Sequence, residues 1–235
     1  MKNRFTGIIL AAGQGKRMGS EVAKQFLMLQ DKPVLYYSLK VFEDSDIDQI
    51  ILVTGEDQVE YCTTNIVERY GFHKVTEVIG GGKERYDSVY NALRKTVRTD
   101  YVLIHDGARP FISKEMIKTI MGQVILNKAC LIGTPVKETI KVIDSDGIIT
   151  ATPNRNILWA AQTPQAFEYN AIRKAYDLFW QEANRDRLGI TDDAMVYEAY
   201  CKLPVKMIMG DYNNIKLTTP EDFLLAKGII KQLLC

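Results

Sequence analysis

The sequence lacks a dominant charge, a paired-cysteine motif and a long apolar run. Its 30 basic and 29 acidic side chains leave a net charge of +1 over 235 residues, so the excess of Lys and Arg that an extended nucleic-acid surface requires is missing. No apolar run approaches the roughly 20 residues that a transmembrane helix needs. We therefore expect neither nucleic acid nor a membrane as a partner. Because no signal-peptide pattern stands near the N-terminus, we expect a cytoplasmic protein.

Cysteine and histidine are too few and too scattered to indicate a zinc site. The four cysteines form no C-x-x-C pair, and His73 and His105 are the two imidazoles. Zinc sites need closely spaced sets of these ligands, so reduced thiols are expected instead. The 46% hydrophobic and 25% charged residues are ordinary for a folded protein and exclude general disorder.

What the sequence does contain is a regular alternation of short apolar runs and segments with helical periodicity. The strands that we predict are residues 6–12, 49–54, 75–79, 101–105, 130–136 and 205–209. The helices that we predict are residues 34–42, 58–70, 85–96, 114–126, 170–181, 192–200 and 221–234. This alternation is typical of βαβ units and predicts an α/β fold with a mostly parallel twisted sheet and helices on both faces. No repeat or linker interrupts it, so residues 1–235 are expected to form a single domain.

One stretch, residues 138–152, departs from the alternation. It contains two short β segments around Asp144-Ser145-Asp146-Gly147, which is a hairpin turn signal. A hairpin of this size cannot build a core alone. We expect it to form an arm that leans on another surface, with a second subunit as one candidate.

A glycine-rich segment follows the first predicted strand. The spacing G-x-G-x-x-x-G over residues 13–19 is neither the dinucleotide fingerprint nor a Walker A loop. Three basic side chains, Lys16, Arg17 and Lys24, stand against Glu21 and give residues 13–25 a local charge of +2. Small residues at the carboxyl end of a parallel strand let backbone N–H groups approach a phosphate. The segment therefore predicts a phosphate-binding loop, with a plain solvated turn as the alternative.

Two further strand ends carry residues suited to phosphate chemistry. Gly80-Gly81-Gly82 leads into a helix near Arg85 that also contains Ser88, and a helix N-terminus offers backbone donors to an anion. Asp106 and Arg109 follow the fourth predicted strand. A lone carboxylate can hold Mg²⁺ when substrate phosphates supply the other ligands. A flexible loop and a turn aspartate are the respective alternatives.

An ordered set of motifs spans nearly the whole chain. In sequence order they read A-A-G-x-G-x-R-M-G with K-Q-F, G-G-x-x-R-x-D-S-V, H-D-G-A-R-P, P-V-K-E-T-I-K, R-N-x-L-W with Q-T-P-Q-A-F, T-D-D-A, and G-D-x-x-N-I-K-x-T-T-P-E-D. This order resembles the 2-C-methyl-D-erythritol 4-phosphate cytidylyltransferase family. Ribitol 5-phosphate cytidylyltransferases are similar, but Thr139-Ile140-Lys141 and Leu158-Trp159 look more like the methylerythritol enzymes. Glu138 and Asn154 stand where that family commonly has aspartate.

The resemblance implies a cytidylyltransferase of isoprenoid precursor biosynthesis by the non-mevalonate pathway. The enzyme would transfer CMP from CTP to 2-C-methyl-D-erythritol 4-phosphate and release pyrophosphate. Arg17 and Lys24 would be the catalytic cations on the triphosphate. Asp106 would hold Mg²⁺, with Asp211 as a weaker metal candidate.

The resemblance also implies the binding residues and a homodimer. The nucleotide would be bound by Ala11, Ala12, Gly13, Gly15, Gly82, Arg85 and Ser88. The acceptor phosphate would be held by Arg109, Thr139, Arg155 and Lys216. In this family the arm crosses to a partner subunit, so Thr139 and Arg155 would serve the neighbouring site.

Rival functions remain at this point. A ribitol 5-phosphate acceptor is the nearest, and a non-catalytic nucleotide-binding regulator is more remote because Lys24, Asp106 and Arg109 occur together in the chain. A nicotinamide oxidoreductase is disfavoured, since the third glycine of the first loop is displaced from the dinucleotide fingerprint.

Overall fold

A seven-stranded sheet organises the computed structural model, which describes residues 2–13 and 23–233. In chain order the strands are β1 (Phe5–Ala11), β2 (Met28–Leu29), β3 (Lys32–Pro33), β4 (Gln49–Thr54), β5 (Val75–Gly80), β6 (Tyr101–Asp106), β7 (Ala129–Pro135), β8 (Val142–Ile143), β9 (Ile149–Ala151), β10 (Trp159–Glu168) and β11 (Lys206–Met209). The helices are α1 (Val34–Glu43), α2 (Val59–Cys62), α3 (Arg85–Lys95), α4 (Lys114–Asn127), α5 (Tyr169–Trp180), α6 (Asp193–Cys201) and α7 (Pro220–Leu233). A π-helical segment, Thr63–Glu68, directly follows α2.

The sheet order is β11-β7-β10-β6-β1-β4-β5. Strand β10 runs antiparallel to both of its neighbours, whereas the other pairs are parallel. The expected mostly parallel α/β fold is confirmed. None of the helices in these two described ranges is long and apolar enough to cross a membrane.

Helices cover the sheet on both faces, and β1 shows why its sequence is continuously apolar. Ile8 and Ile9 are fully buried but belong to different core clusters. Ile9 shares its cluster with Leu39 of α1, and Ile8 shares the other with Val89 of α3. Because successive strand residues point to opposite faces, a strand covered on both sides needs an apolar residue at almost every position.

Strand β10 is absent from the strands predicted by the sequence. Its middle is polar and contains Pro164, which has no N–H to give to a neighbouring strand. In the structure, pairing with β7 is interrupted between Ala161 and Gln165, and pairing with β6 begins at Gln165. The proline therefore lies where neither ladder needs its N–H. The strand brings Thr163 beside the end of β6, where its hydroxyl accepts from the Asp106 N–H at 3.0 Å.

The predicted hairpin is formed by β8 and β9, which pair in an antiparallel manner. Gly147 in its turn has a φ of +81°, a conformation that glycine adopts without strain. Every residue from 138 to 152 is exposed. Within the described chain, this arm therefore has no core of its own.

Candidate active site

A first cavity lies at the carboxyl ends of β1 and β6, beside the loop that joins β5 to α3. Parallel strands of an α/β sheet present their carboxyl ends at one edge, where ligands usually bind. The cavity walls bring together many of the residues predicted from the sequence: Ala11, Ala12, Gly13, Lys24, Gly82, Arg85, Ser88, Asp106 and Lys216. The predicted residues Gly15 and Arg17 lie outside the described residues.

The glycine loop after β5 approaches the end of β1 very closely. A Cβ added to Gly81 would lie 2.6 Å from the Cβ of Ala12 and 2.7 Å from Oγ of Ser88. The Gly81 N–H donates to the Thr54 carbonyl at 2.7 Å, and the Gly82 N–H donates to Ser88 Oγ at 3.1 Å. Only glycine fits at position 81, and the three residues around it, Ala12, Gly82 and Ser88, line the cavity.

The turn that carries Lys24 is anchored to β1 by its neighbour. Gln25 is 3% exposed, and its Nε2 donates to the Ala11 carbonyl at 2.5 Å. This hydrogen bond fixes the short 3₁₀ turn Lys24–Phe26, which puts Lys24 on the cavity wall. Sequence reasoning assigned no role to Gln25, although it stands inside the K-Q-F motif.

Asp106 lies among three cations. Its Oδ1 is 3.2 Å from Nε of Arg85, and its Oδ2 is 2.7 Å from Nζ of Lys216 and 4.0 Å from Nε of Arg109. Burial alone would raise the pKa of Asp106, but the charges of Arg85, Lys216 and Arg109 outweigh it and hold the pKa well below its ordinary value. The carboxylate is therefore ionised and fixed in place.

Arg85 is itself held by a second carboxylate. Its Nη1 and Nη2 donate to the two oxygens of Asp193 at 3.0 and 2.8 Å. Burial opposes the charge of Arg85, but Asp193 and Asp106 raise its pKa well above the ordinary value. The sequence predicts Arg85 as a nucleotide-binding residue; in the structure its side chain is also the bridge between two carboxylates. Asp193 was missed because it is 108 positions from Arg85 and resembles a helix-capping residue in sequence.

A second cavity adjoins the first and shares Arg85, Asp106 and Lys216 with it. Its other walls include Arg109 and Thr163. The Nη1 of Arg109 donates to the Asn214 carbonyl at 2.7 Å, which aligns the guanidinium with the segment that carries Lys216. Arg109 and Lys216, two of the four predicted acceptor residues, are thus brought together by this cavity.

His105 holds the Asp106–Arg109 turn from inside the core. Its Nδ1 is 3.1 Å from Thr163 Oγ1, and its Nε2 is 3.2 Å from the Arg109 carbonyl. Because Thr163 accepts from the Asp106 N–H, its own hydrogen can be donated to Nδ1, which makes Nε2 the protonated nitrogen. Burial lowers the pKa of His105 to about 4, with Asp106 opposing the shift and Arg109 adding to it. Sequence reasoning gave neither His105 nor Thr163 a role.

The remaining predicted residues lie away from both cavities. Thr139 and Arg155 are exposed on and beside the arm, where Nη1 of Arg155 donates to the Lys137 carbonyl at 2.8 Å. Asp211 lines a separate depression with Ser113. Its carboxylate accepts from the Asn213 N–H at 2.8 Å, so the structure does not bring Asp211 to Asp106.

No group of three or more His, Cys, Asp or Glu side chains within residues 2–13 and 23–233 is arranged to hold a metal ion. Asp106 is the acidic side chain that lines both cavities. A carboxylate has about four lone-pair positions. Oδ1 of Asp106 has one close contact, with Arg85, and Oδ2 has one, with Lys216, so lone-pair positions remain on both oxygens. The donor set therefore fits a Mg²⁺ ion that takes most of its ligands from phosphates and water.

Comparison with known proteins agrees with the motifs. A family model described as 2-C-methyl-D-erythritol 4-phosphate cytidylyltransferase matches residues 5–232. A protein of that name from Lachnoclostridium phytofermentans is 50% identical over 229 residues, which cover 97% of each chain. Another, from Geobacter metallireducens, is 45% identical over 230 residues, 96% of this chain and 97% of its own.

Solved structures show the same similarity in three dimensions. The crystal structure of 4-diphosphocytidyl-2C-methyl-D-erythritol synthase from Anaerococcus prevotii matches with a TM-score of 0.84 and 31% identity, covering 97% of this chain and 99% of its own. The enzyme from Francisella tularensis matches with a TM-score of 0.77 and 27% identity, covering 96% and 99%. These matches favour the methylerythritol acceptor over ribitol and an enzyme over a silent regulator. The chain belongs to the 2-C-methyl-D-erythritol 4-phosphate cytidylyltransferase family.

Proposed function

We propose that the two adjoining cavities hold the two substrates side by side, with CTP in the first cavity and the acceptor phosphate in the second. The enzyme transfers CMP from CTP to 2-C-methyl-D-erythritol 4-phosphate and releases pyrophosphate. The observation that carries the arrangement is that Arg85, Asp106 and Lys216 line both cavities.

The nucleotide would lie against the backbone walls of the first cavity. Its base and ribose would rest on the close-packed glycine loop and the end of β1, and its triphosphate would run toward the cations. The residues proposed for this role are Ala11, Ala12, Gly13, Gly15, Gly82, Arg85 and Ser88. Arg17 and Lys24 are proposed to contact the triphosphate. Backbone N–H groups and small residues suit this role because they allow phosphate oxygens to approach closely.

Charge repulsion is the main obstacle to the reaction. An oxygen of the acceptor phosphate attacks the α-phosphorus in line, a new P–O bond forms, and the bond to the pyrophosphate oxygen breaks. At an effective dielectric constant of about 20, two unit charges 4 Å apart repel by about 4 kcal/mol. Lys24 on the nucleotide side and Arg109 and Lys216 on the acceptor side would offset this repulsion. The attacking oxygen is already ionised, so positioning and charge stabilisation can carry the step without a nucleophilic side chain.

Asp106 is proposed as the protein ligand of Mg²⁺. When bound, the ion would neutralise charge on the triphosphate oxygens. The protein's own part is to keep the Asp106 carboxylate ionised and oriented, which Arg85 and Lys216 do through contacts of 3.2 and 2.7 Å. Asp211 stays a weaker metal candidate.

The arm is proposed to complete the acceptor site of a second subunit. Its apolar side chains Ile143, Ile148 and Ile149 are 59%, 64% and 57% exposed, and burying them would be favourable. Thr139 and Arg155, predicted to bind the acceptor phosphate, do not line the cavities formed by their own chain. Both observations would be explained by a homodimer in which the arm of each subunit contacts the second cavity of the other subunit.

We also propose a cytoplasmic location. Support comes from the described thiols of Cys62, Cys130 and Cys201, which form no disulfide, as expected in a reducing compartment.

The experiment that tests the proposal is a pyrophosphate-release assay with CTP and Mg²⁺. 2-C-methyl-D-erythritol 4-phosphate, ribitol 5-phosphate and inorganic phosphate serve as acceptors in parallel. We expect rapid release with the first and far slower release with the other two. Equal kcat/KM for ribitol 5-phosphate would overturn the acceptor assignment, and activity retained after removal of divalent ions would overturn the role of Asp106.

A further inference from the structure

Asp193 forms a two-point ion pair with Arg85 without lining either cavity. It has no exposed surface and grips both Nη atoms of Arg85, in the two-point geometry that gives Arg–carboxylate pairs their directional strength. The third donor of the same guanidinium, Nε, points to Asp106 Oδ1 at 3.2 Å. Arg85 thus has one planar group shared between a buried carboxylate and the carboxylate of the active site.

Asp193 is in turn fixed from three sides. The hydroxyl of Tyr176 donates to its Oδ1 at 2.6 Å. Its backbone N–H donates to Oε1 of Gln165 at 3.1 Å, and the next N–H, of Ala194, donates to the same oxygen at 2.9 Å. The two backbone contacts hold the start of α6, and the Tyr176 hydroxyl orients the carboxylate. Because a guanidinium is rigid and planar, the orientation of this carboxylate determines where Nε of Arg85 points.

We infer that Asp193 is a positioning residue of the transferase, acting through Arg85 to orient the Asp106 carboxylate. The inference rests on the proposed role of Asp106 in the reaction. Asp193 also balances charge, because Arg85, Arg109 and Lys216 meet two carboxylates instead of one. The positive charge of Arg85 is therefore shared between Asp193 and Asp106.

The first test is the substitution Asp193→Asn in the full-length protein. It preserves side-chain volume and the backbone contacts to Gln165 but removes the charge that holds Arg85. We expect kcat to fall about 10- to 100-fold, the range found when a group supporting a metal ligand is lost, with a smaller rise in KM for CTP because Arg85 also lines the nucleotide cavity. Asp193→Glu restores the charge and is expected to recover part of the lost kcat. A kcat within twofold of the unmodified enzyme would overturn the inference.

A control with the same kinds of contact, but with a more exposed carboxylate, is available on α5. Asp177 also pairs with an arginine, Arg173, at 3.0 Å and accepts a tyrosine hydroxyl, from Tyr90, at 2.8 Å, but it lines neither cavity. Asp177→Asn should leave kcat unchanged. A similar loss of kcat in both variants would show a general structural effect and would overturn a specific role for Asp193.

A double-mutant cycle shows whether Asp193 acts through Arg85. Arg85→Lys keeps a cation opposite Asp193 but cannot bridge the two carboxylates, so its kcat should fall by a similar factor. If Asp193→Asn fails to fold, Arg85→Lys alone tests the bridge. If the inference holds, adding Asp193→Asn to Arg85→Lys lowers kcat no further. Losses that multiply would show that Asp193 acts independently, and an unchanged kcat in Arg85→Lys would remove the bridge.

A readout independent of turnover is the side-chain Nε–H signal of Arg85 in ¹⁵N-edited NMR spectra, assigned by its disappearance in Arg85→Lys. We expect slow exchange with water in the unmodified protein and in Asp177→Asn, and fast exchange in Asp193→Asn. An unaltered signal in Asp193→Asn would contradict the positioning role. Asp106→Asn, assayed alongside, separates a failure of the proposed function from a failure of the inference about Asp193. If Asp106→Asn retains kcat, the proposed function is wrong. If Asp106→Asn loses kcat and Asp193→Asn does not, only the role of Asp193 is wrong.

Discussion

The Asp106 backbone N–H donates to Thr163 Oγ1 at 3.0 Å, which ties the end of β6 to the antiparallel strand β10. The same hydroxyl lies 3.1 Å from Nδ1 of His105, so a single threonine joins the backbone of Asp106 to a buried imidazole. The position of Asp106 in the cavity wall therefore depends on β10, whose residues around Thr163 are mostly polar.

Replacing Thr163 by valine should weaken both the fold and the site. The change keeps the shape but leaves the Asp106 N–H and His105 Nδ1 without this partner, and a buried polar group left unsatisfied costs about 1–3 kcal/mol. We expect urea unfolding to show a loss in this range and turnover to fall. Thr163→Ser keeps the hydroxyl and serves as the control. Equal stability of the valine and serine variants would contradict the role of this hydrogen bond.

Replacing Lys24 by alanine should lower kcat by about 10²–10³, the loss found when one preorganised electrostatic donor is removed. Lys24 lines the first cavity, where we propose that negative charge develops as CMP is transferred. Lys118→Ala, on the exposed surface of α4, is the charge-matched control and should leave kcat unchanged. Near-normal turnover in Lys24→Ala would remove Lys24 from the mechanism.

Adding a methyl group at Gly81 should damage CTP binding. The new Cβ would lie 2.6 Å from the Cβ of Ala12 and 2.7 Å from Ser88 Oγ, so one wall of the first cavity must move. We expect Gly81→Ala to raise KM for CTP at least tenfold. Gly122→Ala is a control with no atom within 4 Å of the added Cβ, and in the middle of a helix it should stabilise the protein by up to about 1 kcal/mol. A normal KM for CTP in Gly81→Ala would show that the wall is not in contact with the nucleotide.

The buried His105 should make folding stability depend on pH. Its pKa is lowered from 6.5 to about 4 in the folded protein, so between these values the unfolded chain binds more protons. The contribution of His105 to the free energy of unfolding is present above pH 6.5 and is lost as the pH falls toward 4. From pH 7 to pH 5 the free energy of unfolding should fall by about 2 kcal/mol. Urea unfolding in the presence of a chelator measures it. His105→Gln should have a smaller loss over the same interval, and an identical pH dependence would contradict this source of the effect.

Mixing two inactive variants should restore activity if the arms are exchanged. Arg155→Ala lacks the arm contribution, and Lys24→Ala lacks a residue of its own first cavity. A heterodimer of the two contains one site with every residue intact, so after random subunit exchange about a quarter of the sites should be active in a symmetric dimer. Activity no greater than that of the separate variants would contradict a site shared between subunits.

The sequence predicts the parts of this site that depend on local order. Because parallel strands end at one edge of the sheet, residues after β1, β5 and β6 could be placed together before the structure was known. Ala12, Gly82 and Asp106 do line one cavity. The hairpin was predictable for a similar reason, since turn chemistry over residues 144–147 acts within a few positions.

Contacts between distant segments could not be predicted in this way. The pairing of Arg85 with Asp193 joins the starts of α3 and α6, and an aspartate at a helix start is equally well explained as a capping residue. Thr163 stands in a polar, proline-containing segment whose pairing depends on where the ladders of β6 and β7 leave a gap. These contacts depend on tertiary packing, which residue order along the chain does not reveal.

The most direct test of the central claim is a crystal structure of the protein with CTP and an unreactive analogue of the acceptor phosphate. The account predicts the α-phosphate within hydrogen-bonding distance of Lys24 in the first cavity and the acceptor phosphate between Arg109 and Lys216 in the second. Both substrates in one cavity, or a triphosphate bound away from Lys24 and Asp106, would contradict it.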